Sequence, residues 1–160
     1  MPEGLFIIKP EAEPSAKEIV NDIKEYGLSI DQRIRQRWTR EKIRGTYPPE
    51  IFEDWPIADW YDNIVFERHG KDPWIETMII TSEKESIESI KKNLVGRFDA
   101  SFAQRPEEKH TLRYKYGLKK IRRPFQKDEN IYYFYYNGSH LSSENRYFIE
   151  KELYYPKTIV

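Results

Sequence analysis

The chain divides itself, by its own punctuation, into strand–helix–strand blocks. "LFIIK" (Leu5 to Lys9) is an apolar run closed by Pro10, which reads as a buried strand. In "SAKEIVNDIKEYG", Ala16, Ile19, Val20, Ile23 and Tyr26 recur at helical spacing, with Ser15 as N-cap and Gly27 as C-cap. "LSIDQRIRQRW" alternates, with Ile30, Ile34 and Trp38 on one side and charges on the other, as a half-buried strand does. The succession then returns. "PWIETMIIT" is a third strand begun by Pro73. "SEKESIESIKKNLVG" is a helix capped by Ser82, striped by Ile87, Ile90 and Leu94, and stopped at Gly96. Between the two units, "TREKIRGTY" reads as a short helix ended by Pro48-Pro49, and "IFEDWPIADWYDNIVFERHG" as irregular helix. A long basic loop follows Gly96, then the strand "IYYFYY" and a last helix around "SENRYFIEKELYY". Two such units predict an α/β (α+β) fold, a ferredoxin-like four-stranded antiparallel sheet with helices packed on it. Because "IYYFYY" lacks polar alternation, it is expected to be central and covered on both faces.

With 160 residues the chain is expected to form one domain, 1–160, able to bury a genuine core. Charged residues make up 34% but balance to zero, so nothing marks a specific nucleic-acid surface. The absence of Cys excludes disulfide scaffolds, thiolate zinc and cysteine catalysis, and suits a reducing cytoplasm. No apolar run has the length of a membrane span, and "MPEGLFIIKPE" is too short and too soon charged to be a signal peptide. The expectation is a soluble cytoplasmic protein.

His140 is the candidate with the most suggestive setting. In "NIYYFYYNGSHLSSE" it follows the Asn137-Gly138 turn and precedes a helix-like segment. Unpaired backbone N–H groups at such a helix mouth attract anions. Imidazole is a competent nucleophile near neutral pH. His69 in "ERHGKDP" and His110 in "EEKHTLR" lie in charged stretches that read as solvated loop, although His110 has phosphate within its possible reach.

"FIIKPEA", "TREKIRGTY", "LVGRFDASFA", "TLRYKYG" and "NGSH", in that order, resemble the motifs of the nucleoside diphosphate kinases. The resemblance runs from Leu5 to about Leu153. It implies a phosphotransferase that moves the γ-phosphate of a nucleoside triphosphate to a nucleoside diphosphate through a phosphohistidine on His140. It further implies that Lys9 contacts the sugar and the moving phosphoryl group, and that Tyr47 stands beside His140. Asn137 would bond the sugar hydroxyl and the phosphate end, Arg113 would clamp phosphate oxygens, and Trp55 would stack on the base. Glu152, or Glu150, would orient the histidine ring. A family arginine falls on Lys92, or on Arg97 if the loop is shifted.

The resemblance implies Mg²⁺ brought with the nucleotide rather than a protein metal cage, and a homo-oligomer with nucleoside di- and triphosphates as partners. The sequence departs from the family at Phe98, where a threonine is usual, and at Leu141, where a glycine is usual. Ser143, or Glu144 with a shift, stands for the family's acid. Those departures sustain two rival expectations: a catalytically weak nucleotide-binding module of the same fold, and an interaction domain using its Tyr- and Trp-rich surface.

Overall fold

The architecture is set by two buried strands at the middle of one sheet. In the computed structural model, which describes residues 2–10, 12–37, 39, 73–97, 105–117 and 139–142 (backbone only at 140 and 142), β1 spans Glu3–Ile8 and β3 spans Trp74–Thr81. Both are almost wholly buried, as their near-continuous apolar runs require. β2 (Ser29–Arg37) pairs with β3, and β4 (Ser139–Ser142) pairs with β1, all antiparallel. The four-stranded order β2-β3-β1-β4, with helices between β1 and β2 and between β3 and β4, is the ferredoxin-like plan.

Helix α1 (Ala16–Tyr26) follows a 3₁₀ turn at Glu13–Ser15, where Pro14 suits the first helical positions. Gly27 closes it with φ of 106°, in the left-handed region. Ala16, Ile19, Val20 and Ile23 are buried against Phe6, Ile8, Met78 and Ile80 of the sheet. Each fully buried Ile stabilises the fold by roughly 1.5–3 kcal/mol. Tyr26 departs from the predicted stripe. It is 37% exposed, and its hydroxyl donates to both oxygens of Glu85, at 2.9 and 2.7 Å.

Helix α2 runs from Ile87–Ile90 into a wider π turn, Lys91–Val95, and buries Ile87, Ile90, Leu94 and Val95 in the same core. Its cap is Ser86, not Ser82: Ser86 Oγ accepts from Ser89 N at 3.1 Å. Ser82 is buried and its Oγ accepts from the backbone of Glu85 at 2.9 Å, which turns the chain out of β3 before the helix begins.

The alternation in β2 is broken. Ile30 is the register partner of Ile80, but Ile34 is the partner of Thr77, with one extra residue between Asp31 and Ile34. This β-bulge moves Ile34 to the sheet face opposite Ile30, so the two do not share a side as predicted. Gln32 takes the extra step at φ of 50°, and Asp31 Oδ1 accepts from its backbone N–H at 2.8 Å. Beyond the bulge the helix-side face becomes charged. Arg33 holds the buried Glu76 with two hydrogen bonds, at 3.2 and 3.0 Å. Arg35 pairs with Glu13 at 2.6 Å, and both Arg35 and Arg37 lie within 4.0 Å of the Trp74 ring centre.

The predicted loop after Gly96 contains structure, a 3₁₀ turn at Pro106–Glu108 and a five-residue helix α3 (Leu112–Tyr116). The strand expected at 131–136 and the last helix lie outside the described residues. The strand that is described, β4, begins at Ser139, after the Asn137-Gly138 pair. It pairs with β1 at the edge of the described sheet. No helix among the described residues is long and apolar enough to cross a membrane.

Candidate active site

Three elements converge on β4. The first is β1, whose Ile7 is the register partner of His140 and whose Ile8 is the partner of Ser139. His140 is therefore a strand residue whose backbone belongs to a sheet ladder, and the helix predicted after it lies outside the described residues. Ser139 is 1% exposed, and Leu141 joins the core cluster opposite Phe6. Lys9 follows β1 directly, two residues along from Ile7. It is 4% exposed, and its carbonyl accepts from Ala12 N at 2.9 Å.

The second element is the end of α2. Gly96 N donates to Lys91 O at 2.8 Å, the long-range bond of a π turn, a local widening that recurs at functional sites. Buried Leu94 and Val95 anchor this turn, leaving Lys91, Lys92 and Asn93 exposed. Gly96 has φ of 94°, and a Cβ there would stand 2.6 Å from both Cβ and Oγ1 of Thr111. Only glycine lets this loop lie so close to α3.

The third element is α3. Thr111 Oγ1 donates to Glu108 O at 2.7 Å and accepts from Tyr114 N at 3.3 Å, ending the 3₁₀ turn and capping the helix at once. Lys115 Nζ and the Tyr116 hydroxyl both donate to Asp22 Oδ2, at 2.5 and 2.9 Å, tying α3 to α1. Burial, and then the Asp22 carboxylate, pushes the Tyr116 phenol up to about 12.

Between α2 and the turn before α3 opens a cleft of about 650 Å³. Lys91, Lys92, Arg97 and His110 line it together with Glu88, Glu107 and Glu108. Lys92 and Arg97, alternatives in the sequence, thus both face the same space. Arg97 Nε lies 3.7 Å from Glu108 Oε1. "RPEEKHT" has too short a pattern to announce a cleft wall, yet His110, Glu107 and Glu108 line the cleft where the sequence predicts solvated loop. Arg113 is engaged with backbone: Nε and Nη2 donate to Ser139 O at 3.1 and 3.0 Å, and Nη1 donates to Gly96 O at 2.9 Å.

The fold is similar to that of solved proteins. Over 92% of each chain it is similar to the nucleoside diphosphate kinase of Aquifex aeolicus, with a TM-score of 0.63 at 18% identity. An NDP kinase from Pyrobaculum aerophilum matches with a TM-score of 0.56 at 18% identity, covering 90% of this chain and 89% of that one. The nucleoside-diphosphate kinase of Borrelia burgdorferi, solved with vanadate and ADP, matches at 0.54 and 16% identity, covering 94% of this chain and 83% of that one. The fold is that of the nucleoside diphosphate kinases. No protein-family model matches the chain, and no curated protein matches its sequence.

Within this nucleoside diphosphate kinase fold, Ile7, two residues before Lys9, is the register partner of His140, while Lys92 and Arg97 meet in the cleft. Arg113 links the two places. Tyr47, Trp55, Asn137, Glu150, Glu152 and Phe98 lie outside the described residues. Among the described residues no group of three or more His, Asp or Glu is gathered to hold a metal ion. The cleft's carboxylates are hard oxygen donors of the kind that suits Mg²⁺ and its water shell.

Proposed function

We propose that the protein is a phosphotransferase of nucleoside diphosphate kinase type, carrying phosphate on His140. One observation carries the reading: β4, the strand of His140, is laid beside β1 just before the buried Lys9, in a nucleoside diphosphate kinase fold matched over 92% of the chain. In the first half-reaction an imidazole nitrogen of His140 attacks the γ-phosphorus, the N–P bond forms and the bond to the β,γ-bridging oxygen breaks. The nucleoside diphosphate leaves with that electron pair. In the second, a terminal oxygen of another diphosphate attacks phosphorus and the N–P bond breaks, returning free imidazole.

Little covalent chemistry is asked of the chain beyond positioning and charge neutralisation. Lys9 neutralises the moving phosphoryl group, and Lys92 and Arg97 take up the phosphate tail. Arg113, which the resemblance assigns to phosphate oxygens, is held by the carbonyls of Ser139 and Gly96. Asn137 holds the sugar hydroxyl, Trp55 stacks on the base, Tyr47 flanks His140 and Glu152 orients its ring. Mg²⁺ held by the nucleotide's phosphates would supply further charge neutralisation. Nucleoside di- and triphosphates are the partners, in a cytoplasmic homo-oligomer built from single-domain chains.

The second reading is a nucleotide-binding module with weak or absent transfer. Leu141 favours it, because the residue after His140 is a side chain locked in the core rather than a glycine free to approach phosphate. Incubation with γ-labelled ATP separates the two readings. An acid-labile, alkali-stable label supports the enzyme. Saturable binding of ATP without label supports the module.

A further inference from the structure

Arg113 is the residue that the family resemblance assigns to phosphate oxygens, yet three of its N–H donors serve two backbone carbonyls. Those carbonyls belong to Ser139, which immediately precedes His140, and to Gly96, which immediately follows the π turn bearing Lys92. A planar fork with fixed donors suits two such acceptors, and a lysine ammonium cannot reproduce it. Among the described residues β4 pairs with β1 alone, and the last carbonyls of a helix such as α2 lack intrahelical donors, so the Arg113 fork adds a tie at both ends. Gly96 is further confined by its contact with Thr111, two residues before Arg113.

We infer that Arg113 is a positioning residue: it sets the height of the strand carrying His140 against the cleft loop carrying Lys92 and Arg97. The inference rests on the phosphohistidine reading for its consequence, though not for its geometry. An attack on phosphorus tolerates little displacement, since a misplacement of about 1 Å costs about a hundredfold in rate. A phosphate ligand has the opposite signature, because its loss is felt in binding.

The test compares Arg113→Lys and Arg113→Ala with the wild-type chain. It reads ADP affinity, the rate of label uptake from saturating γ-labelled ATP, amide exchange at residues 139–142, and thermal stability. The inference expects uptake slowed about a hundredfold in both variants while ADP affinity stays within about threefold. It also expects faster exchange confined to residues 139–142 and the flank of Gly96. Retention of charge in Arg113→Lys should not rescue the rate.

ADP affinity weakened about tenfold or more in Arg113→Ala, recovered in Arg113→Lys, with exchange unchanged, would overturn the inference and make Arg113 a phosphate ligand. Loss of folding in both variants also contradicts it, because Arg113 would then support the whole fold rather than one strand. If the wild-type chain takes no label, the proposed function fails, and exchange alone decides the tether: faster exchange at residues 139–142 supports it, and unchanged exchange refutes it.

Discussion

Replacing Gly96 with Ala should be among the most costly single-methyl additions in the described chain. Two terms add. At φ of 94° and ψ of −179°, Gly96 occupies backbone space essentially reserved for glycine, and holding another residue there costs about 1–3 kcal/mol. The added Cβ would lie 2.6 Å from Thr111 Cβ and Oγ1, and 3.0 Å from its Cγ2. Carbon pairs settle near 3.5–4.0 Å, so the loop and α3 must separate by about 1 Å. Overpacking of that kind costs about 1–3 kcal/mol. The sum is about 2–6 kcal/mol, a large fraction of a domain's whole stability. Urea unfolding of Gly96→Ala, Thr111→Gly and the double variant measures it. Thr111→Gly removes all three clashing atoms, so Gly96→Ala should cost about 1–3 kcal/mol less in that background. Strict additivity of the two substitutions, or a Gly96→Ala cost under about 0.5 kcal/mol, would refute the close approach.

Three further outcomes are expected. The raised phenol pKa values of Tyr26 and Tyr116, each about 12, mean that the folded state favours their protonated forms over an ordinary value near 10. Their stabilisation should be intact below about pH 10 and disappear as pH rises towards 12, and the double variant Tyr26→Phe/Tyr116→Phe should flatten that limb in pH-dependent unfolding. Glu85 is held below the usual carboxylate range, chiefly by the Ser89 hydroxyl at 2.6 Å and then by Tyr26. Its contribution should be present above the ordinary value of 4.5 and fade as pH falls below it, and Glu85→Gln should remove that part of the acid slope. If Trp55 grips the base by stacking, ATP, GTP and CTP titrated against tryptophan fluorescence should differ by less than about a hundredfold; a larger preference would mean readout of the base edge.

β1, α1, β3 and the apolar face of α2 were legible because each repeats a period long enough to be read: a run of Leu5 to Ile8, or Ile87, Ile90 and Leu94 before Gly96. What escaped depends on single residues. The bulge at Gln32 has no glycine or asparagine to announce it, and it alone reverses the face of Ile34. Ser82 reads as the cap in the sequence; its burial at the strand exit, and the bond from Ser89 N to Ser86 Oγ, place the cap at Ser86 instead. α3 and β4 are five and four residues long, too short for periodicity, and β4 is partly polar beside a far more apolar run. For the site, Lys9, Lys92, Arg97 and Arg113 were nameable from motif order. Their grouping was not, because it depends on carbonyl acceptors at Gly96 and Ser139, and backbone oxygens carry no sequence signature.

The central claim is that His140 carries the phosphate. The most direct measurement labels the wild-type chain, His140→Ala, His69→Ala and His110→Ala with γ-labelled ATP and scores acid-labile, alkali-stable product. Label is expected on the wild-type, His69→Ala and His110→Ala chains and none on His140→Ala, with ADP still bound by all four. Label that survives in His140→Ala, or vanishes in His110→Ala with ADP binding unchanged, would contradict it.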